Sequence, residues 1–389
     1  MNKKVIALAV AGALALPLAA KAQTANVTMY GTFRLAMEST DLKDVGRNNH
    51  IDSWSSRWGI RGIESLGGGL NGIFQLETGV NLDNPGGVVA ESAAAGTNTS
   101  VRYQFITLRE AWAGLNGGFG TIKMGAGLTP WDDVLGYDHL LLANGFEAQT
   151  TLGGGANPAI TRAGGFTNYA AAGSVATSNT SGNSCNAATN WDARYGESIR
   201  YDSPSFSGLV FATQFAFLGE NSTGFKCKGW DSKVDYNNGP IEAAIAYARH
   251  IDFQQYDGAA WIAHAAYNFG VAKIQGAYQR MHYDGNNGSV GQATARYYNV
   301  GVVVPIGPGV LTGQYGNRNK GVTTSATAVT EFQDGGGKQY TASYKYNFSK
   351  RTAVYTWAAR VDAGSDATIE GGPKGGKATA LGFGIVHNF

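Results

Sequence analysis

The sequence is poor in most features that sort a protein quickly. Its 389 residues hold two cysteines, nine prolines and six histidines, and no stretch rich in Pro or Ser divides it. Cys185 and Cys227 do not make a disulfide scaffold; in an oxidising compartment they form one bond, or they stay as two loop thiols. The histidines (His50, His139, His250, His264, His282 and His387) have no metal-ligand spacing, and neither HExxH nor CxxC occurs. His264, in a strand-like run, reads as a wall or interface residue rather than a catalytic one. The run Gly371–Lys377 has the glycines and lysine of a phosphate-binding loop, but Ala378 stands where Ser or Thr is required and no helix pattern follows. No GxSxG elbow is present. The expectation is therefore a chain with no catalytic residue, no metal and no cofactor, and not an enzyme.

Long apolar runs are also missing. Lys3 and Lys4 precede the apolar run Val5–Ala20, which is short and interrupted by Pro17, and Ala20-Lys21-Ala22 has the small-x-small form of a cleavage site before Gln23. The segment 1–22 is expected to be a cleaved export signal and 23–389 a single domain. After residue 22 no apolar run approaches the roughly 18 residues a spanning helix needs. Charge of one sign is lacking too. Three of the 30 Lys+Arg lie in residues 1–22, which hold no acid, so the rest carries 27 basic against 28 acidic residues and a formal charge of −1. A nucleic-acid partner would want a clustered basic face and has no support here.

What is abundant is Gly (56), Tyr (19) and Phe (17). Strand periodicity dominates. Val27, Met29, Gly31, Phe33 and Leu35 alternate with Thr28, Tyr30, Thr32, Arg34 and Glu38; Trp58, Ile60 and Gly62 with Arg57, Gly59 and Arg61; Tyr340, Ala342, Tyr344, Tyr346 and Phe348 with Gln339, Thr341, Ser343, Lys345 and Asn347. Connections come in two sizes in succession. Short ones fall at Ser65–Leu70, Asn116–Gly120, Pro204–Gly208, Asn237–Pro240, Asn268–Gly270, Pro305–Gly309 and Asn347–Lys350. Long polar ones fall near 39–52, 82–100, 128–196, 220–229, 251–258, 284–292, 318–337 and 363–377. Seven short and eight long connections separate sixteen strands, with both chain ends on the short-turn side. A β-sandwich or propeller also alternates, but has no reason to sort its connections this way. The pattern predicts an all-β fold, a 16-stranded antiparallel transmembrane β-barrel.

One stretch, Arg109 to Glu147, organises the rest. Two strand-like runs meet at a glycine turn, and the second enters a long loop carrying Asp132, Asp133, Asp138 and Glu147. The third long loop, about 128–196, is expected to fold back into the cavity. If alternation holds, Arg34, Arg57, Arg61, Arg109, Lys123 and Arg200 project inward and oppose those acids across the narrowest point. Scattered charges on a wet wall are the competing account, and Glu77 and Lys123 can simply pair with strand neighbours. Trp112, Trp261, Tyr267, Tyr344, Tyr355 and Trp357 fit aromatic girdles at the two lipid–water interfaces better than sugar-stacking platforms. The last strand ends on Phe389, with Leu381, Phe383 and Ile385 on the same parity.

Several segments in order carry a resemblance. These are Val27-Thr-Met-Tyr-Gly31, Ser56-Arg-Trp-Gly-Ile-Arg-Gly62 with Leu66-Gly-Gly-Gly-Leu70, Phe74-Gln-Leu-Glu77, Leu115-Asn-Gly-Gly-Phe-Gly-Thr121, Ser198-Ile-Arg-Tyr-Asp-Ser-Pro204, Tyr346-Asn-Phe-Ser-Lys-Arg-Thr352 and His387-Asn-Phe389. Through them the chain resembles the Gram-negative general porins, the trimeric 16-stranded branch common in β-proteobacteria. The resemblance implies a homotrimer of water-filled channels in the cell outer membrane. Ions and small hydrophilic solutes would pass by diffusion, and the partners would be other copies of the chain, lipid and lipopolysaccharide. It further implies an inward third loop whose acids face basic wall residues, and a role for Phe389 in membrane insertion. One departure is visible: where the family has Gly-Arg-Gln, this chain has Gly125-Ala-Gly127, which removes a wall charge. The alternative readings are a substrate-selective porin, an outer-membrane barrel enzyme and a β-rich adhesin.

Overall fold

The computed structural model describes residues 26–83, 88–89, 102–103, 106–137, 160–162, 191, 194–217, 227–251, 256–285, 292–319, 322–324, 336–365, 367–369 and 375–389. The expected signal segment 1–22, Asp138, Glu147 and Cys185 lie outside them. Sixteen strands run antiparallel around a closed ring. In chain order they are β1 (Asn26–Leu42), β2 (Arg57–Gly67), β3 (Leu70–Val80), β4 (Ile106–Gly117), β5 (Gly120–Leu128), β6 (Arg194–Asp202), β7 (Leu209–Phe217) and β8 (Lys228–Asn238). They continue as β9 (Ile241–Ile251), β10 (Tyr256–Asn268), β11 (Lys273–Gly285), β12 (Gln292–Ile306), β13 (Gly309–Arg318), β14 (Gly337–Asn347), β15 (Thr352–Ala363) and β16 (Lys377–Asn388). Each pairs with its sequence neighbours, and β16 returns to β1 in the register Thr32↔Asn388 to Leu42↔Ala378.

Alternation decides the faces, because successive side chains on a strand point to opposite sides. On β8 and β9, Trp230, Val234, Ile245 and Tyr247 are exposed outward, while Asp231, Lys233, Ala244, Ala246 and Ala248 turn to the other face. On β12, Val300 and Val302 stand out and Asn299 is buried within. The outward face is thus a wall of exposed apolar side chains such as Met37, Ile274, Leu311, Leu381 and Phe383, and the inward one is mainly polar or small, with a few buried apolar side chains such as Ile262 and Met281. In water such an arrangement would be unstable; in lipid it is the arrangement of a transmembrane barrel.

All seven short connections join the expected neighbours, with two to six residues between strands. The β2–β3 turn shows why glycine is used. Gly68 and Gly69 both sit at positive φ (60° and 80°), the left-handed backbone of a two-residue hairpin turn. At the same end of the barrel the chain closes on itself: Gly31 N donates to Phe389 O and Phe389 N to Gly31 O, each at 3.0 Å. The Phe389 ring lies over Gly31, where a Cβ would fall 2.3 Å from its Cζ.

Two expectations are corrected. The polar stretch 39–52 is not a loop. β1 continues to Leu42 and pairs with the strand Gly46–Asp52 from Ala36↔Asp52 to Leu42↔Gly46, leaving a tight turn at Lys43–Val45. Asn48 and Asn49 sit on opposite faces of an extension that is exposed on both sides, so no apolar alternation marks it as strand. Of the six girdle candidates, Trp261, Tyr267 and Tyr344 face outward, but Trp112, Tyr355 and Trp357 face inward. Trp357 and Tyr355 are 2% and 1% exposed, their rings over Gly382 and Gly384 of β16. Bare glycine backbone on the neighbouring strand makes room for a flat ring, which parity within one strand does not reveal.

Candidate functional site

The segment after β5 starts with a capped helix. Thr129 is its N-cap, its side chain accepting from Asp132 N at 3.2 Å, Pro130 opens the first turn, and Asp132 and Asp133 follow. Those are the residue types a helix start favours: a hydroxyl for the free N–H groups, a pre-set φ, and carboxylates near the positive end. The helix α1 (Pro130–Gly136) buries Trp131, Val134 and Leu135 completely. They pack with Ala244, Ala246 and Ala248 of β9, Ala260 and Ile262 of β10, and Met281 of β11, on the face that also carries Lys233 and Asp231. Three alanines at alternate positions of β9 let the helix approach the sheet closely. Farther along the same loop, Ile160–Arg162 pairs with Ala367–Ile369 between β15 and β16.

Polar contacts pin α1 to this wall. Asp133 pairs with Arg200 of β6 and with Lys233 of β8, the latter at 3.1 Å. Arg200 also holds Asp202 (2.7 Å) and donates through Nη1 to Leu128 O at 2.9 Å. Lys233 reaches Asp235 at 2.7 Å and Lys123 reaches Asp202 at 3.2 Å. At the helix end Gln275 donates to Tyr137 O at 2.8 Å, and the Tyr137 ring stacks on His264 with centroids 5.1 Å apart. Tyr195 donates to Asp231 (2.9 Å), and His250 lies 3.1 Å from the Tyr195 hydroxyl and stacks on Trp191. His264 and His250 are thus wall residues, packed against rings.

A second charged group lies on β1–β4. Glu77 accepts from Arg109 at 2.8 Å and from the Tyr30 hydroxyl at 3.1 Å, with Arg57 at 3.5 Å. Simple alternation would not put Arg109 there, because Glu110 and Trp112 are also inward. A bulge between the pairs Glu77↔Glu110 and Thr78↔Leu108 leaves Arg109 unopposed and turns it inward as well. Arg61 sits 5.2 Å over the Tyr30 ring. In Gly125-Ala-Gly127, Ala126 pairs with Ala111 on the outward side with Ile122 and Met124, so it is not a lumen-wall position. On the inward side the Trp112 ring lies against Gly127, 3.4 Å from where a Cβ would stand, and Lys123 packs over that ring at 5.1 Å.

The structure therefore brings Asp133, Lys123 and Arg200 together, sets Arg57, Arg61 and Arg109 around Glu77 and Tyr30, and puts Arg34 on the inner face of β1. Asp132 sits in the first turn of α1. Within hydrogen-bonding reach Asp133 is matched by Arg200 and Lys233, not by the arginines of β2 and β4. Lys233, Asp202 and Asp235 were not singled out from the sequence. A signal for them exists: Arg200-Tyr-Asp202 and Lys233-Val-Asp235 each put opposite charges two apart on one strand, hence on one face. Cys227 is buried and disulfide-bonded. Phe389 closes the ring as described.

A family model for Gram-negative porins matches residues 7–366. Outer membrane porin protein 32 of Delftia acidovorans is 28% identical over 412 residues, covering 100% of both chains. Major outer membrane protein P.IB of Neisseria meningitidis is 26% identical over 426 residues, again with 100% of both covered. Among solved structures, the anion-selective porin from Comamonas acidovorans superposes with a TM-score of 0.67 at 24% identity, over 94% of this chain and 100% of that one. The trimer form of Vibrio cholerae OmpT superposes with a TM-score of 0.63 at 16% identity, over 94% and 100%.

Proposed function

The chain belongs to the Gram-negative porin family, and on that premise we propose which of its own residues shape the channel. The protein is an outer-membrane porin, a water-filled channel for passive diffusion. The loop that begins with α1 is the constriction. Asp132 and Asp133, continued by Asp138 and Glu147, form its acidic side; Arg34, Arg57, Arg61, Arg109, Lys123 and Arg200 form the basic wall. The observation that carries this reading is the burial of Trp131, Val134 and Leu135 against the alanine row of β9. A helix packed on that face takes cross-section from the lumen.

The same reading assigns residues 1–22 to a cleaved export signal, Cys185 to a bond with Cys227, Phe389 to membrane insertion, and the working assembly to a homotrimer in contact with lipid and lipopolysaccharide. Exposed Met37, Leu381 and Phe383 on the outward face of β1 and β16 supply apolar surface for lipid or a neighbouring copy. The chain works without catalysis or a cofactor, since solutes need only a gradient.

The test is single-channel current from purified protein in a planar bilayer with a salt gradient across it. Conductance steps grouped in threes and a defined reversal potential are expected. Asp132→Asn with Asp133→Asn should move the reversal potential away from cation preference. Permeability ratios that stay put in this double variant would remove both residues from the constriction. Heat-modifiable, membrane-extracted protein that never gives steps would overturn the open channel.

A further inference from the structure

The charges on the inner wall are not evenly neutralised. Those around α1 are interlocked in pairs, but a cavity of about 210 Å³ near the Asn347–Thr352 turn is lined by Arg34, Arg57, Lys345, Lys350 and Arg351 and by no carboxylate. Arg57 reaches Glu77 only at 3.5 Å, and the other four have no acidic partner among the described residues. The Arg34 Nε is buried and makes no hydrogen bond. Buried guanidinium N–H groups without an acceptor are costly, and like charges gathered at one place repel, so the cluster is stabilised by whatever anion enters it.

The sheet register gives the recess its form. Asn347, Ala353, Val386 and Arg34 lie directly opposite one another in a row across β14, β15, β16 and β1. Three strand spacings separate the ends of that row, about 14 Å. Its middle is floored by the short side chains of Ala353 and Val386, while Arg34 rises at one end and Lys345 beside Asn347 at the other. Lys350 and Arg351 come from the short turn just below. Long cationic side chains thus surround a low floor, with the neutral donors Thr32, Asn347 and Asn388 between them. A guanidinium matches a carboxylate or phosphate through two parallel hydrogen bonds, which lone halide ions cannot use.

We propose that this recess is a binding site for a compact divalent oxyanion, a small dicarboxylate or phosphate monoester, at the short-turn mouth of the channel. Short turns mark the periplasmic end of such barrels, so the site runs from Arg34 and Arg57 of the basic wall down to the short-turn mouth. It gives the channel a saturable step for divalent anions on top of simple diffusion. The inference rests on the channel reading above.

The test uses the purified, refoldable full chain in a planar bilayer carrying chloride current. Succinate or inorganic phosphate added on the short-turn side should inhibit the current saturably, and acetate should not at the same concentration. Arg34→Gln and Lys345→Gln should each raise the half-inhibiting concentration about tenfold, the loss of one charge-assisted contact. Lys345→Arg keeps the charge and should keep the inhibition, which guards against a folding defect in the Gln variant. Arg280→Gln, on the exposed outward face, should change nothing. Non-saturating inhibition, acetate as effective as succinate, or Gln variants that behave as wild type would each overturn the proposal while leaving the channel intact. A protein that carries no current at all would overturn both.

Discussion

Two stretches of the same inner wall use cations in opposite ways. From β5 to β10, Lys123, Arg200 and Lys233 are each within 3.2 Å of a carboxylate, and the acid of α1 is part of that network. Around β14, β16 and β1, Arg34, Lys345, Lys350 and Arg351 have no carboxylate in reach among the described residues. Paired charges at close range cancel in the far field and hold a loop in place; unpaired ones project their potential into the water of the pore. The first wall holds in place the loop that narrows the pore, and the second leaves more of its charge free to act on the solute.

The largest effect should come from breaking the scaffold. Trp131→Ala removes a fully buried ring that seats α1, a change that costs about 3–5 kcal/mol in packed sites. Single-channel conductance should rise and open-channel noise with it; an unchanged conductance would mean that α1 does not limit the pore. Arg200→Gln should come next. It leaves Asp133 and Asp202 each with one lysine instead of a shared guanidinium, a loss of about 2–3 kcal/mol, to be read as a lower temperature for the heat-induced mobility shift. A smaller effect is expected on the unpaired wall: Arg34→Gln with Lys345→Gln should lower the anion-to-cation permeability ratio about threefold and leave the thermal transition where it is. The smallest should be Lys123→Gln, whose charge already faces Asp202, with little change in either readout. Salt sharpens the contrast. Raising ionic strength from about 0.1 to 1 M shortens the screening length from about 10 to 3 Å, so selectivity due to unpaired cations should fade while the α1 network persists.

Much of the fold was legible because the two faces of each strand meet different surroundings. The parity of Val27, Met29 and Phe33 against Thr28, Tyr30 and Arg34 needs no tertiary knowledge, and neither do the seven short turns, six of them marked by glycine or proline. What stayed hidden depends on registers between strands. Arg109 was expected inward by alternation, but it gets there through a one-residue bulge opposite Glu77, which no rule within β4 predicts. Trp112, Tyr355 and Trp357 look like interface aromatics until glycines on adjacent strands are seen beneath them. Gly46–Asp52 reads as loop because both its faces are wet. For the site, Asp133, Lys123 and Arg200 were found by parity and loop position. Lys345 was visible as an inward lysine, but its meaning lies in residues more than three hundred positions away, at Arg34.

The reciprocal hydrogen bonds between Gly31 and Phe389 join positions at nearly the two ends of the sequence. Phe389 extends a seam that already holds the eleven facing pairs from Thr32↔Asn388 to Leu42↔Ala378. Contacts between such distant positions are slow to form, so the barrel stays an open sheet with raw edges until β16 pairs with β1. A copy truncated by a single residue lacks both bonds and the ring over Gly31. The seam thereby has a latch at its short-turn end, whose loss should loosen closure there while the eleven pairs beyond it keep the wall shut.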